Sequence, residues 1–287
     1  MRYLMFAVLA AFAFGSIADT EVPHTFSDGT PAKAAEVNAN FDAIVTALNS
    51  QGKDVQTVSI DCNNDGSALS QALDGRTLLG PPLSFSLSGV CLLPDGLVIA
   101  RTIWLEGVDA NAAIQMGSES GSIFVSGSGA WLALSNLKMV DLMAYALGPG
   151  TISLNNVTYE GEVAHLAAMR GGSISAFRVS VPAPLELEID VVGGSVGTVI
   201  DPTGKVKFFA ANNSALTCTG CNTADSVSIN LDLNSTFCGT SDDVLVASSV
   251  TLTANSSMSV ATLNGATPSV DGSSSLIVRG ATSLFCG

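Results

Sequence analysis

Residues 150–159 read GTISLNNVTY, and residues 172–181 read GSISAFRVSV. In each, a small residue is followed by an alternating apolar run and then a polar turn. Strict alternation is the period of a strand with one buried face. The phrase recurs as GAWLALSNLKM at Gly129, GSVGTVID at Gly194 and NSALTCTGCN at Asn213, then as NSTFCGTSDD at Asn234, SSMSVATLNG at Ser256 and SSLIVRG at Ser274. A repeat of about 20 residues containing β-alternation marks a solenoid. The leucine-rich consensus is absent, and helical repeats need longer periods. The pattern therefore predicts an all-β parallel β-helix with two or three short strands per coil, stacked at about 4.8 Å. Inward positions are expected at Trp131, Leu132 or Ala133, Ile152, Leu154, Ile174, Val196, Leu216, Phe237, Met258, Val260, Leu276 and Val278. Asn155, Asn156, Asn212, Asn213, Asn234 and Asn255 fall near the turns, where asparagine tolerates left-handed backbone and can ladder between coils. A β-sandwich is the rival reading. It demands hairpin signals between strands, and Asn264-Gly265 is the single one.

The bulk numbers set the compartment and the partners. Arg2, the apolar run 3–14 and Ser16-Ile17-Ala18 read as a signal peptide over 1–18, with cleavage after Ala18. No later apolar run reaches the length of a membrane span. A secreted, extracellular or cell-surface protein is expected, with the periplasm as a further location. Charged residues make up 13% and the net charge is -14. That balance argues against nucleic acid and anionic lipid, which require clustered Lys and Arg. Six cysteines, Cys62, Cys91, Cys218, Cys221, Cys238 and Cys286, suit an oxidising compartment. Six cysteines allow 15 pairings, and sequence proximity favours Cys218–Cys221 and Cys238–Cys286.

Residues 19–53 have their own logic. Ser27-Asp28-Gly29-Thr30-Pro31 is a turn cluster, with Thr30 placed to cap a helix that starts at Pro31. Val37, Phe41, Ile44 and Leu48 follow as a short a/d stripe. A helix this short is marginal alone, so it packs either on the following domain or on copies of itself. The segment TFSDGTPAKAAEVNANFDAIVTAL resembles an N-terminal segment of secreted bacterial and phage tail-fibre-like proteins. That resemblance implies an oligomeric surface or fibre protein, here a homotrimer through residues 31–50, and carries no catalytic residue.

The body, 54–287, opens on DCNNDGS at residues 61–67. Asp61, Asn63, Asp65 and Gly66 match the start of an EF-hand loop, but its twelfth position, where a bidentate glutamate belongs, is Ala72. Residues 58–107 supply a strand ending in Asp-Cys, a turn, a helix over 67–73, a strand ending Ser88-Gly89-Val90-Cys91 and two more apolar strands. This resembles the N-terminal cap of secreted bacterial pectate-lyase-like right-handed β-helix proteins. The resemblance implies a right-handed coil, a helix plugging its open end, and pairing of Cys62 with Cys91. Asn63 to Gly66 then make a turn, and Asp65 or Ser67 caps the helix.

Enzymes of that family cleave acidic polysaccharides. The hydrolase pattern needs paired carboxylates with a nearby His and an Arg-x-Lys. This chain has Asp242-Asp243, two histidines (His24 and His165), and Lys205-Val206-Lys207 without an arginine. The lyase pattern has one candidate grouping, Arg170 and Arg178 beside Glu160 and Glu162, which reads first as solvated charge. His165 reads as an ordinary imidazole, and Cys218-Thr-Gly-Cys221 as a structural staple rather than a redox pair. No catalytic residue, metal ligand or cofactor is assigned. The expectation is a non-enzymatic surface, fibre or adhesion protein whose solenoid face binds a polysaccharide or a surface protein. A diverged polysaccharide lyase or hydrolase and a self-assembling structural subunit are the alternatives.

Overall fold

The computed structural model describes residues 57–278 apart from 79, 118–120 and 240–243. The expected signal peptide, the stripe Val37, Phe41, Ile44 and Leu48, Asp242-Asp243 and Cys286 lie outside the described residues. Those described belong to one compact unit, Gln56–Gly287.

Among the described residues, the paired strands of the three faces run parallel, coil to coil. That excludes the sandwich, whose hairpins require antiparallel neighbours. The first face stacks Thr57–Asp61, Leu83–Ser88, Thr102–Gly107 and Trp131–Ser135, and continues through the starts of Thr151–Met169 and Ser173–Ser180. Val196–Ile200, Ala215–Thr219, Thr236–Gly239, Ser257–Val260 and Ser275–Val278 complete it. A short second face includes Val90–Leu93, Ala113–Met116 and the start of Lys138–Leu147. The third face stacks Leu97–Ile99, Gly121–Ser126 and the ends of Lys138–Leu147 and Thr151–Met169. Glu186–Val192, Gly204–Ala211, Ala224–Leu231 and Val244–Leu252 follow. Each repeated phrase begins one or two residues before a strand of the first face.

The core is a set of columns running through the coils. On the first face Leu132, Ile152, Ile174, Leu216, Phe237 and Met258 are all buried. Gly197 interrupts this column, and Leu216 and Val191 fill the space that a side chain there would take. Three expected inward positions come out differently. Trp131 is 40% exposed and Val196 50%, because each begins its strand one residue before the first inward position. Val278 pairs with inward Val260 but stands on the last described rung of this face, 51% exposed.

The corners explain the small residues of the phrase. Between the third and first faces the chain turns through left-handed backbone at Gly193-Gly194, Asn212-Asn213, Leu233-Asn234 and Ala254-Asn255. Asparagine and glycine suit that conformation, whereas Leu233 and Ala254 hold it at about 1–2 kcal/mol each. The next residue, Ser195, Ser214, Ser235 or Ser256, is buried. Ser195 Oγ donates to the Val192 carbonyl at 2.7 Å, and Ser214 Oγ to that of Ala211 at 2.8 Å. In the coils above, Gly150 and Gly172 occupy the same column. The corner between the first and second faces repeats left-handed backbone at Asn136, Asn156, Arg178 and Asp201. Asn156 Nδ2 donates to Asn136 Oδ1 at 2.9 Å, one step of a ladder. Asn155, by contrast, is the last first-face residue within the strand Thr151–Met169 and is not left-handed.

The DCNNDGS turn is held by its own side chains. Asp61 accepts hydrogen bonds from Asn63, Asn64 and Ser88, which lower its carboxyl pKa, the Asn63 backbone bond most. Asp65 accepts from the Ser67 amide and hydroxyl, so it, and not Ser67, caps the following turn. Helix α1, Ala68–Leu73, buries Leu69 and Leu73 against the strands Thr57–Asp61 and Val90–Leu93. Cys62 and Cys91 are joined across a sequence separation of 29. Closing a loop of that length stabilises by roughly 3–4 kcal/mol in the chain-entropy account.

Candidate functional site

Alternation leaves every second strand residue pointing outward, and stacking turns these residues into rows. Two faces acquire opposite chemistry in this way.

The outer first face is nearly uncharged. Among the described residues, Asp61 and Glu106 are its only charged strand positions, and both stand at its corner edge. Hydroxyls fill much of the rest: Thr151, Ser153, Ser173, Ser175, Thr198 and Thr217 occupy adjacent coils in two columns. Trp104 and Trp131 stand on neighbouring coils with ring centroids 6.1 Å apart at 77°. The Trp131 indole donates to Ser153 Oγ at 2.9 Å, which fixes its ring over the hydroxyl row. A ring locked in this way loses little freedom on binding.

The outer third face is aromatic and charged. Phe124 and Tyr145 stack with centroids 5.2 Å apart, and Tyr145 meets His165 edge-on at 5.4 Å. His165 Nε2 lies 3.0 Å from Asp190 Oδ2, and its Nδ1 lies 3.4 Å from the Tyr145 hydroxyl. A carboxylate only accepts, so Nε2 carries the proton that faces Asp190, while the Tyr145 hydroxyl donates to Met143 Sδ at 3.3 Å and rests beside Nδ1. Burial raises the Tyr145 pKa, and the charges of Asp190 and Glu188 add to it, so the phenol keeps its proton. Lys207 pairs with Glu188, and that hydrogen bond raises the Lys207 pKa.

The grouping of Arg170 and Arg178 with Glu160 and Glu162 is not assembled. Arg170 follows the end of a third-face strand, while Arg178 sits between the first and second faces. Glu160 and Glu162 stand where the second face turns into the third. Glu160 pairs with Lys138 at 3.0 Å, and the Arg178 guanidinium lies 4.7 Å over the Phe177 ring. Cys218 and Cys221 are bonded to each other and buried, away from the solvent access that redox exchange requires. Cys238 is disulfide-bonded, and its expected partner Cys286 lies outside the described residues.

The local sequence does not single out Trp104, Tyr145, Glu188 or Asp190, and its alternation predicts Trp131 inside, whereas the ring faces out. The missing signal is one coil of offset: Tyr145 and Asp190 pair in register with the same residue, Ala167, from opposite sides. No helix among the described residues is long and apolar enough to cross a membrane. No protein-family model, curated protein or solved structure matches the chain.

Proposed function

We propose that this chain is a secreted, non-enzymatic surface or adhesion protein that binds a glycan through the outer face of its solenoid. The observation that carries this reading is the Trp104–Trp131 pair set on an uncharged hydroxyl face. Indole rings stack on the apolar faces of sugar rings, and hydroxyl rows exchange hydrogen bonds with sugar hydroxyls. An uncharged face does not desolvate unpaired charge on contact, which favours a neutral polysaccharide. The resemblance of residues 58–107 to the pectate-lyase-like cap supports an extracellular β-helix, with α1 closing its end.

Replacing Trp131 with alanine is expected to weaken retention on insoluble neutral polysaccharides about tenfold or more, the loss of one anchoring aromatic. Co-sedimentation with cellulose, chitin and β-1,3-glucan measures it. Unchanged retention, or retention on none of them, would refute the first face as the binding surface.

Assembly through residues 31–50 would place several such faces in one particle and multiply weak binding by avidity. Chains beginning at Asp19 are expected to be trimeric, and chains beginning at Asp54 monomeric, by light scattering behind size exclusion. Equal masses would remove the assembly role of the Val37–Leu48 stripe.

A further inference from the structure

The third face holds a recess that the neutral-polysaccharide reading does not use. Its strand loses register between Glu160 and Ala164, where Gly161 takes φ +95 and the Glu162 amide donates to Asp141 Oδ1. This bulge brings Glu162 to the rim of a groove of about 280 Å³ lined by Met143, Glu162, His165, Glu186, Glu188 and Lys207. The volume lies just under the range of about 300–1,000 Å³ typical of small-molecule sites, room for one or two sugar rings.

The walls are held in place before any ligand arrives. Asp190 holds Nε2 of His165, the Tyr145 hydroxyl rests beside its Nδ1, and Lys207 takes Glu188. Asp190 Oδ1 is buried without a hydrogen-bond partner, a further acceptor behind His165. Glu162 and Glu186 are exposed and have no ion-pair partner among the described residues. Lys205 neighbours Glu186 on the next coil but does not line the groove. With Lys207 neutralising Glu188, the lining keeps two carboxylates and no unpaired cation. A uronate would meet repulsion here, and an ammonium attraction. Among the described residues, no three His, Cys, Asp or Glu groups converge on a point that would hold a metal ion. The spread of charge suits an extended organic cation.

We propose that this groove binds an amine-bearing sugar, with its ammonium facing Glu162 and Glu186 and its ring against Met143 and His165. The site lies on a different face from Trp131, so it stands or falls separately from the polysaccharide reading.

Isothermal titration of the full chain with tetramers of glucosamine, N-acetylglucosamine and galacturonate tests it. Glucosamine tetramer is expected to bind tightest, and Glu162→Gln with Glu186→Gln to weaken it about tenfold or more. Asp74→Asn with Asp95→Asn removes the same charge away from both faces and is expected to change binding less than about twofold. The proposal is overturned if the N-acetyl or uronate tetramer binds as tightly as the glucosamine tetramer to Trp131→Ala chains, in which the first-face anchor is removed. It is equally overturned if both double variants weaken binding alike, which would mean general attraction to an acidic chain, or if no tetramer binds.

Discussion

Replacing Phe208 with alanine is expected to lower stability by about 3–5 kcal/mol. The side chain is fully buried, sits in register between Ile189 and Ile229 of the adjacent coils, and lies 5.6 Å from the Phe237 ring. Two features make this site expensive. Each coil contacts only its neighbours, so no distant element can move in to fill the gap. The spacing of the coils is also set by backbone hydrogen bonds, so the interior cannot shrink around a cavity. The transition midpoint in denaturant should fall strongly, and Phe208→Leu should lose less because it conserves most of the volume. A loss under about 1 kcal/mol for the alanine variant would show that the ring is not packed as described.

Gly150→Val is expected to be as damaging, at about 3 kcal/mol or more, with loss of soluble protein. Its backbone φ is ordinary, so the cause is space: a Cβ there would overlap the carbonyl oxygen of Val125. That oxygen belongs to the backbone, and relief would require separating the coils. Gly172 stands in the same position against the Ala146 carbonyl. Along this corner column from Ala130 through Gly150, Gly172, Ser195, Ser214 and Ser235 to Ser256, nothing larger than serine occurs, whereas one coil earlier Arg101 holds the place and bonds the Arg76 carbonyl. Gly272→Ala provides the contrast. Its added Cβ meets nothing within 4 Å, and stability should change by less than about 0.5 kcal/mol. If Gly150→Val melts with the unaltered protein, the close corner approach is not a constraint.

These two sites mark how far local patterns can be read. The small residues at the head of each phrase were visible as a repeat, and they mark the corner. Their cause was not visible, because a pinch between coils is a contact between residues about 20 positions apart. Trp131 and Val196 show the same limit on a finer scale. Alternation gives the period of a strand but not its parity, so at a strand's first residue the reading can slip by one. Leu132 against Ala133 was that ambiguity, and the buried corner residue preceding each strand resolves it.

For the faces the gap is wider. His165, Tyr145 and Asp190 belong to three coils, and nothing in their own neighbourhoods distinguishes them from solvated side chains. Trp104 and Trp131 likewise meet only because Thr102 pairs with Trp131.

From the sequence alone follow the parallel stacked solenoid, its coil length and the turn at Asp61 to Ser67. Each is a local property repeated or self-contained: alternation, turn chemistry and a capped helix. Only the tertiary structure decided which outward residues share a face. That depends on register between coils, set by the length and left-handed geometry of every corner, and one residue more or less in a turn would move each later side chain to the opposite side of its sheet.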